Sequence, residues 1–272
     1  MLRARLATAA VAIPLLLLLI FAAPAWLFAA VVGLITMAGV AEYAGMAFAD
    51  RAGQRALTVA LGALVTVAMA FGNTGPLAFG AIAWAVVLGL VWTLLARSDF
   101  EEGLADLGLT LLGALYVGFL LMHIVWLRTL EHGGEWITFI LMAAMMGDSG
   151  GYFVGHAFGR HKLIPRVSPG KTVEGAIGIL LASLLAGAVA WWWPYQYIRC
   201  GEPFLGWNEA IILAAVMGVI GQLGDLSESI MKRTFGAKES GWLFPGHGGV
   251  LDRIDSVLFP VVVVYYYCVL FR

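Results

Sequence analysis

Charged residues are concentrated in one stretch of the chain, between Gly224 and Ser256. From Asp225 to Asp255, nine of the 31 residues are charged, whereas charged residues make up 12% of the whole chain. Carboxylates are the hard oxygen ligands that Mg²⁺ prefers, and lysine and arginine bind phosphate groups. Acids and bases so close together therefore indicate metal-dependent phosphoryl chemistry.

The spacing of the acids predicts that they share helix faces. Residues at i+3, i+4 and i+7 lie on one face of a helix. Two sets have this spacing, one ending an apolar run and one starting the next: Asp225, Glu228, Ser229 and Lys232, and Asp252, Asp255 and Ser256. Both helices would then present carboxylates at one membrane surface, where lipid headgroup phosphates lie.

A glycine-rich loop separates the two sets, because residues 245–249 read Pro-Gly-His-Gly-Gly. Glycine permits positive φ and close backbone approach to an anion. We expect His247 either to contact a phosphate or to shape this loop. Four basic residues supply complementary positive charge: Lys232, Arg233, Lys238 and Arg253.

A second polar island covers residues 148–175. Asp148 lies inside a predicted span, where an unpaired charge costs about 2.5–3.5 kcal/mol. We expect it to face the bundle interior beside a basic partner or a wet cavity; a purely structural ion pair is the alternative. Gly151, Gly155 and Gly159 are four residues apart, which favours close helix packing over substrate contact.

The sequence Gly170-Lys171-Thr172 suggests a P-loop, but the position that requires the first glycine holds Pro165, and no strand is predicted before it. We instead expect the segment to begin a helix, with Thr172 and Glu174 near its N-terminus. Lys171 would then be free to bind a phosphate.

Composition indicates a membrane protein. Hydrophobic residues make up 61% of the chain, and its mean hydropathy is +0.91. These values are typical of polytopic helical membrane proteins. The net charge of −1 argues against a nucleic-acid-binding protein. Cys200 and Cys268 form no CxxC pair, so neither a disulfide framework nor a thiolate metal site is indicated.

The predicted fold is an all-α transmembrane bundle of about nine helices. Each apolar run can cross ~30 Å of hydrocarbon at ~1.5 Å per residue. The first run follows Arg3 and Arg5 and is similar to a signal peptide, but with further spans behind it we expect a transmembrane helix. Residues 1–100 would hold the N-terminal helices and 101–272 the catalytic region of a single unit. The runs are 6–22, 25–41, 56–72, 77–95, 104–123, 136–158, 173–193, 208–224 and 254–271.

The distribution of lysine and arginine predicts the orientation. With the N-terminus inside, thirteen basic residues lie on the inner side and three on the outer side, as the positive-inside rule requires. Both polar islands would then face the cytoplasm. We expect a bacterial plasma-membrane protein. The inner residues are Arg3, Arg5, Arg51, Arg55, Arg97, Arg160, Lys162, Arg166, Lys171, Lys232, Arg233, Lys238 and Arg253, and the outer ones are Arg128, Arg199 and Arg272.

These motifs resemble a known family. Residues 227–233, Lys238-Glu239 and residues 245–256 closely resemble the signature of the phosphatidate cytidylyltransferase (CDP-diacylglycerol synthase) family. The resemblance covers roughly residues 147–175 and 224–256. One departure is Glu239, where the family pattern usually has Asp. The change keeps the charge but lengthens the side chain, so residue 239 is left out of the metal assignment.

The resemblance implies that CTP and phosphatidate react at the bilayer to give CDP-diacylglycerol and pyrophosphate. It implies a divalent metal, usually Mg²⁺, in some cases beside a monovalent cation such as K⁺, with Asp225 and Asp252 as the principal ligands. It also makes a homodimer an expectation. The predicted catalytic residues are Asp225, Asp252, Lys232, Arg233 and Asp255. The predicted substrate-binding residues are Ser168, Lys171, Thr172, Ser229, Lys238, His247, Arg253 and Asp148.

Two other functions remain open from the sequence. A related CTP-using enzyme would act on a polyprenol or another lipid acceptor. An ion-coupled transporter would also carry acids in a helical bundle. The polar residues, however, cluster at helix ends rather than at the midplane, and no inverted repeat is apparent. Substrate-dependent release of pyrophosphate separates these classes, because transport alone produces none.

Overall fold

The computed structural model describes residues 2–71, 75–96, 99–192, 204–241 and 248–272, and of residues 2–11 the backbone only. The described chain is a bundle of helices with one short β-hairpin. In chain order, the elements are α1 (Leu2–Phe21), α2 (Ala25–Ala47), α3 (Ala52–Phe71), α4 (Gly75–Ala96), α5 (Phe100–Tyr116), α6 (His123–Thr129), α7 (Gly133–Phe158), β1 (Lys162–Ile164), β2 (Ser168–Thr172), α8 (Val173–Trp192), α9 (Trp207–Thr234) and α10 (Leu251–Phe271).

Seven of the described helices are long and apolar enough to cross a membrane: α2, α3, α4, α7, α8, α9 and α10. The prediction of an all-α, multi-pass membrane bundle is confirmed, but the count of nine spans is not. The fifth predicted span, 104–123, is not one helix, because α5 ends at Tyr116 and the seven-residue α6 begins at His123. The first two spans do separate where predicted, with Pro24 at the N-cap of α2.

The second polar island contains a hairpin that the sequence did not predict. β1 pairs antiparallel with β2, with Lys162 opposite Thr172 and Ile164 opposite Ser168. The segment expected to begin a helix is therefore a strand up to Thr172, and α8 starts at the next residue. The Thr172 hydroxyl accepts the Gly175 N–H at 3.1 Å, which caps α8 as expected of a threonine at a helix start.

Glycines allow α7 and α8 to pack with their backbones close together. A Cβ on Gly150 would lie 2.6 Å from the carbonyl oxygen of Gly178, and a Cβ on Gly151 would lie 2.5 Å from Ile179. Such contacts are possible only without side chains, as in other small-residue helix interfaces of membrane proteins. The structure supports the packing role predicted for Gly151.

Glycines also allow α9 to pack closely against both α8 and α10. On α9, a Cβ at Gly218 would lie 3.0 Å from Ser183 of α8. At Gly224 it would lie 2.5 Å from the carbonyl oxygen of Asp255 on α10. The two helices that carry most of the charged stretch are therefore in close backbone contact at the level of Asp255.

Polar contacts join α3, α4 and α5 in the N-terminal half. Gln54 Nε2 donates to Thr110 Oγ1 at 2.8 Å, and Trp92 Nε1 donates to Gln54 Oε1 at 3.2 Å. Arg51, immediately before α3, forms an ion pair with the buried Asp106 of α5 at 2.6 Å. Buried polar side chains are costly unless they are paired, so these contacts hold the three helices together.

Helix α2 packs against both the end of α5 in the N-terminal part of the chain and α10 in the C-terminal part. A Cβ at its Gly39 would lie 2.9 Å from Val117, just beyond the end of α5, and 3.6 Å from Ile254 on α10. This packing brings the last turns of α2, including Glu42, to the N-terminus of α10.

Candidate active site

Three carboxylates meet at the contact between α9 and α10. Asp225 and Glu228 lie on α9 and Asp255 lies on α10, and one oxygen of each lies within 4.8 Å of the others. The missing side chain of Gly224 lets the Asp255 backbone reach α9 at this level. We call Asp225, Glu228 and Asp255 the three-acid cluster.

Few hydrogen-bond donors reach the carboxylate oxygens of the three-acid cluster. Glu228 is fully buried, and neither of its oxygens receives a hydrogen bond of normal geometry from the described residues. One of them is ion-paired with Lys232. Asp255 accepts from the Ser256 N–H at 2.7 Å. Buried like charges repel strongly unless cations compensate them. The three carboxylates are therefore suited to act as ligands of a metal ion.

A lysine and an aspartate border the cluster. Lys171 Nζ lies 2.6 Å from Asp225 Oδ2. The sequence suggested a free Lys171, but the structure pairs it with an acid. Asp148 accepts from Ser256 Oγ at 3.3 Å and interacts electrostatically with Lys171. The second polar island therefore joins the charged stretch in one site, through Asp148 and Lys171.

Asp252 lies outside the three-acid cluster, in a different environment. Its Oδ1 accepts from Lys232 Nζ at 2.5 Å. Its Oδ2 accepts the Ser240 N–H at 2.9 Å, the Ser240 hydroxyl at 2.9 Å and the Gly249 N–H at 2.8 Å. Lys232 also pairs with Glu228 and so links Asp252 to the cluster. The metal role implied for Asp252 stays a prediction.

The described glycines of the loop enclose carboxylates of the protein itself. Gly248 has φ +79°, and a Cβ there would lie 2.6 Å from Asp252 Oδ2. A Cβ on Gly249 would overlap Glu42 Oε2. These two glycines were expected to approach a substrate anion, but their close contacts are with Asp252 and Glu42. His247 and the start of the loop lie outside the described residues.

Glu42 and Glu228 are not among the site residues predicted from the sequence. Glu42 accepts the N–H groups of Val250 and Leu251, both at 2.9 Å. Glu42 is the single acid of the apolar helix α2, and an ionisable residue in a membrane helix is a reason to suspect a role. Glu228 stood on the predicted face with Asp225, and its full burial is visible only in the structure.

The other predicted residues lie on the hairpin, on α9 and α10, and in the segment after α9. Arg233 Nε donates to the Val167 carbonyl at 3.3 Å, which joins the end of α9 to the hairpin. Ser229 Oγ lies 3.4 Å from Asp225 Oδ1, within weak hydrogen-bond distance. Ser168 lies on β2, and Lys238 and Arg253 are exposed. Among the basic residues, Lys171 of the hairpin and Lys232 of α9 are thus in direct contact with the acids of the site.

Comparison with known proteins identifies the family. The sequence profile of the cytidylyltransferase family matches residues 3–271. The chain belongs to this family. Phosphatidate cytidylyltransferase of Bacillus subtilis (strain 168) is 36% identical over 192 residues, which is 69% of this chain and 67% of that protein. The enzymes of that name from Staphylococcus saprophyticus and Staphylococcus aureus (strain COL) are each 37% identical, over 174 and 172 residues. Both alignments cover 62% of this chain and 61% of the relative.

Proposed function

We propose that this multi-pass membrane protein is a phosphatidate cytidylyltransferase. It transfers the cytidylyl group of CTP to phosphatidate and forms CDP-diacylglycerol and pyrophosphate. Family membership supports the reaction class, and the similar proteins carry this name. The observation that carries the proposal is the three-acid cluster with Lys171 on one side and Lys232 on the other.

The reaction needs charge neutralisation more than a base. The second pKa of a phosphate monoester is about 6, so phosphatidate is largely ionised at neutral pH. Its phosphate oxygen attacks the α-phosphorus of CTP, a new P–O bond forms, and the bond between the α-phosphorus and the bridging oxygen breaks to release pyrophosphate. Both reactants are anions, so basic side chains must hold them together in line.

The acids are suited to hold a divalent cation, which we propose is Mg²⁺. Asp225, Glu228 and Asp255 would be its ligands, and the bound ion would neutralise phosphate charge. Asp252 would join them only if its Oδ1 exchanged Lys232 for the cation. A monovalent cation such as K⁺ stays a prediction from the resemblance.

The basic residues divide into two groups. Lys171 and Lys232 are paired with acids, and we propose that each would also bind a substrate phosphate. Arg233, Lys238 and Arg253 are exposed, and we propose that they orient the triphosphate. Arginine forms bidentate hydrogen bonds with phosphate, so Arg253 next to Asp252 is suited to this role.

We propose that the site faces the cytoplasm of a bacterial plasma membrane. The excess of lysine and arginine on this side supports the orientation. CTP would then enter from the cytoplasm, and phosphatidate would enter from the adjoining leaflet. A homodimer and the absence of nucleic-acid binding stay predictions.

Pyrophosphate release by the purified protein in detergent tests this function. Release should require CTP, phosphatidate and Mg²⁺ together, should stop with EDTA and should return with excess Mg²⁺. Release with CTP and a polyprenol phosphate, but not with phosphatidate, would move the assignment to another lipid acceptor. No release from folded, Mg²⁺-loaded protein with any lipid would overturn the nucleotidyltransferase assignment.

A further inference from the structure

The carboxylate of Glu42 makes three hydrogen bonds to a segment about 200 residues away in the sequence. Oε1 accepts the Val250 N–H at 2.9 Å. Oε2 accepts the Leu251 N–H at 2.9 Å and the Ser240 hydroxyl at 3.0 Å. A side chain of the N-terminal half is thus fixed to the backbone beside the candidate active site.

Glu42 acts where a helix normally needs a local cap. The first N–H groups of a helix have no partner inside it, and a negative charge at that end is favourable. Val250 occupies the N-cap position of α10 and provides no side-chain cap. Glu42 satisfies the N–H of Val250 and that of Leu251 with one oxygen each. The start of α10 is therefore held by α2.

The Ser240 hydroxyl connects Glu42 to Asp252. It lies 3.0 Å from Glu42 Oε2 and 2.9 Å from Asp252 Oδ2, and it accepts the Asp252 N–H at 3.3 Å. A hydroxyl has only one proton to donate, so the two carboxylates share it. Asp252 in turn binds Lys232, which pairs with Glu228 of the three-acid cluster. Contacts therefore run without a break from α2 to the cluster.

The backbone around Glu42 has the shape that a carboxylate requires. A Cβ on Gly241 would overlap Glu42 Oε1, and a Cβ on Gly249 would overlap Glu42 Oε2 and the Ser240 hydroxyl. Two glycines thus leave space that the Glu42 carboxylate fills.

We propose that Glu42 is a positioning residue for the reaction, holding the start of α10 so that Asp252 and Asp255 stand at the correct level against α9. The inference rests on the proposed function. Glu42 need not contact substrate; it acts through the N-terminus of α10 and through Ser240. Residues that orient metal ligands in this way typically contribute about 10- to 100-fold to metal affinity or activity.

Glu42→Gln tests the proposal, because the amide keeps the size but replaces one acceptor oxygen with a donor. We expect kcat to fall about 10- to 100-fold and the half-saturating Mg²⁺ concentration to rise. Hydrogen exchange should accelerate in the peptide that begins at Gly248, with little change in α3 to α5. Ser240→Ala is the milder second variant and should lower kcat by a smaller factor. Because both variants break one network, the double variant should lose less than the product of the two single losses.

The matched control is Gln54→Leu, which also breaks a buried contact between helices of the N-terminal half. It should lower thermal stability while leaving kcat and the Mg²⁺ dependence unchanged. If Glu42→Gln behaves like this control, with lower stability but normal kinetics per folded molecule, Glu42 is only structural and the inference is wrong. A loss in the double variant equal to the product of the two single losses would also overturn it, because the two residues would then act independently. Failure of the proposed function is distinguishable, because the unmodified protein would then release no pyrophosphate.

Discussion

Two groups of acids lie near the contact between α9 and α10, and they differ in the hydrogen-bond donors around them. Asp252 and Glu42, which we call the capped acids, have a donor on every carboxylate oxygen. Backbone N–H groups donate to both Glu42 oxygens and to Asp252 Oδ2, the Ser240 hydroxyl lies between the two carboxylates, and Lys232 donates to Asp252 Oδ1. The fully buried Glu228 of the three-acid cluster receives an ion pair from Lys232 and no hydrogen bond of normal geometry from the described residues.

This difference indicates a structural role for the capped acids and a cation-binding role for the three-acid cluster. Donors that already satisfy a carboxylate stabilise it in place, so the capped acids hold Ser240, Gly249 and the start of α10 in position. The acids of the cluster lie close together with few hydrogen-bond donors, so they repel one another unless cations compensate their charge. Lys232 joins the two groups, because it pairs with Asp252 on one side and with Glu228 on the other.

Removing a cluster acid should have the largest effect. Asp255→Asn keeps the volume but removes the negative charge of a proposed metal ligand. We expect turnover to fall by at least about 100-fold, the upper end of the effect of residues that only orient metal ligands. Pyrophosphate release at saturating CTP and phosphatidate measures it. Glu239→Gln is the matched control, since this exposed acid lies in the same charged stretch and should leave turnover unchanged. Normal turnover in Asp255→Asn would remove Asp255 from the metal site.

Separating the two helices should have the next largest effect. Gly224→Ala places a methyl group 2.5 Å from the Asp255 carbonyl oxygen, so α10 must shift. Displacements of about 1 Å cost up to about 100-fold in rate, and we expect a loss of about 10- to 100-fold. Gly45→Ala on α2 is the control, because a Cβ there meets nothing within 4 Å. Equal activity of the two variants would contradict the role of Gly224 in bringing the acids together.

Metal binding should distinguish the capped acids from the cluster. Mn²⁺ titration, followed by electron paramagnetic resonance, reports affinity independently of turnover. We expect Asp225→Asn to weaken Mn²⁺ binding more than Asp252→Asn, because Asp252 Oδ1 is held by Lys232 and its Oδ2 by three donors. Equal weakening would show that Asp252 exchanges Lys232 for the ion and is a direct ligand.

The polar contacts of the N-terminal helices should have the smallest effect. Gln54→Leu removes the hydrogen bonds to Thr110 and Trp92. Hydrogen bonds between membrane helices contribute about 0.6 kcal/mol on average, so we expect a small fall in thermal stability. Turnover per folded molecule should not change. A large loss of turnover would mean that α3 to α5 position the site directly.

The sequence alone predicted the membrane bundle and the location of the chemistry. Long apolar runs are detectable because a helix needs about 20 apolar residues to cross a bilayer. The charged stretch stands out against them, and its spacing placed Asp225 and Glu228 on one face of a helix and Asp252 and Asp255 on the start of another. The hairpin was missed because its strands have only three and five residues, too short for a periodic pattern.

Tertiary structure alone decided which acids meet. Spacing along the sequence predicts which residues share one face of a helix. It does not predict the level along the helix axis at which that face contacts another helix. The close contact at Gly224 set this height and joined Asp255, rather than Asp252, to Asp225 and Glu228. Glu42 lies about 200 residues from the backbone N–H groups that it caps. A contact over this sequence separation cannot be predicted from the local sequence around Glu42. Hydrophobicity and helical periodicity are local properties readable from the chain, whereas the environment of each carboxylate depends on donors that folding brings from elsewhere.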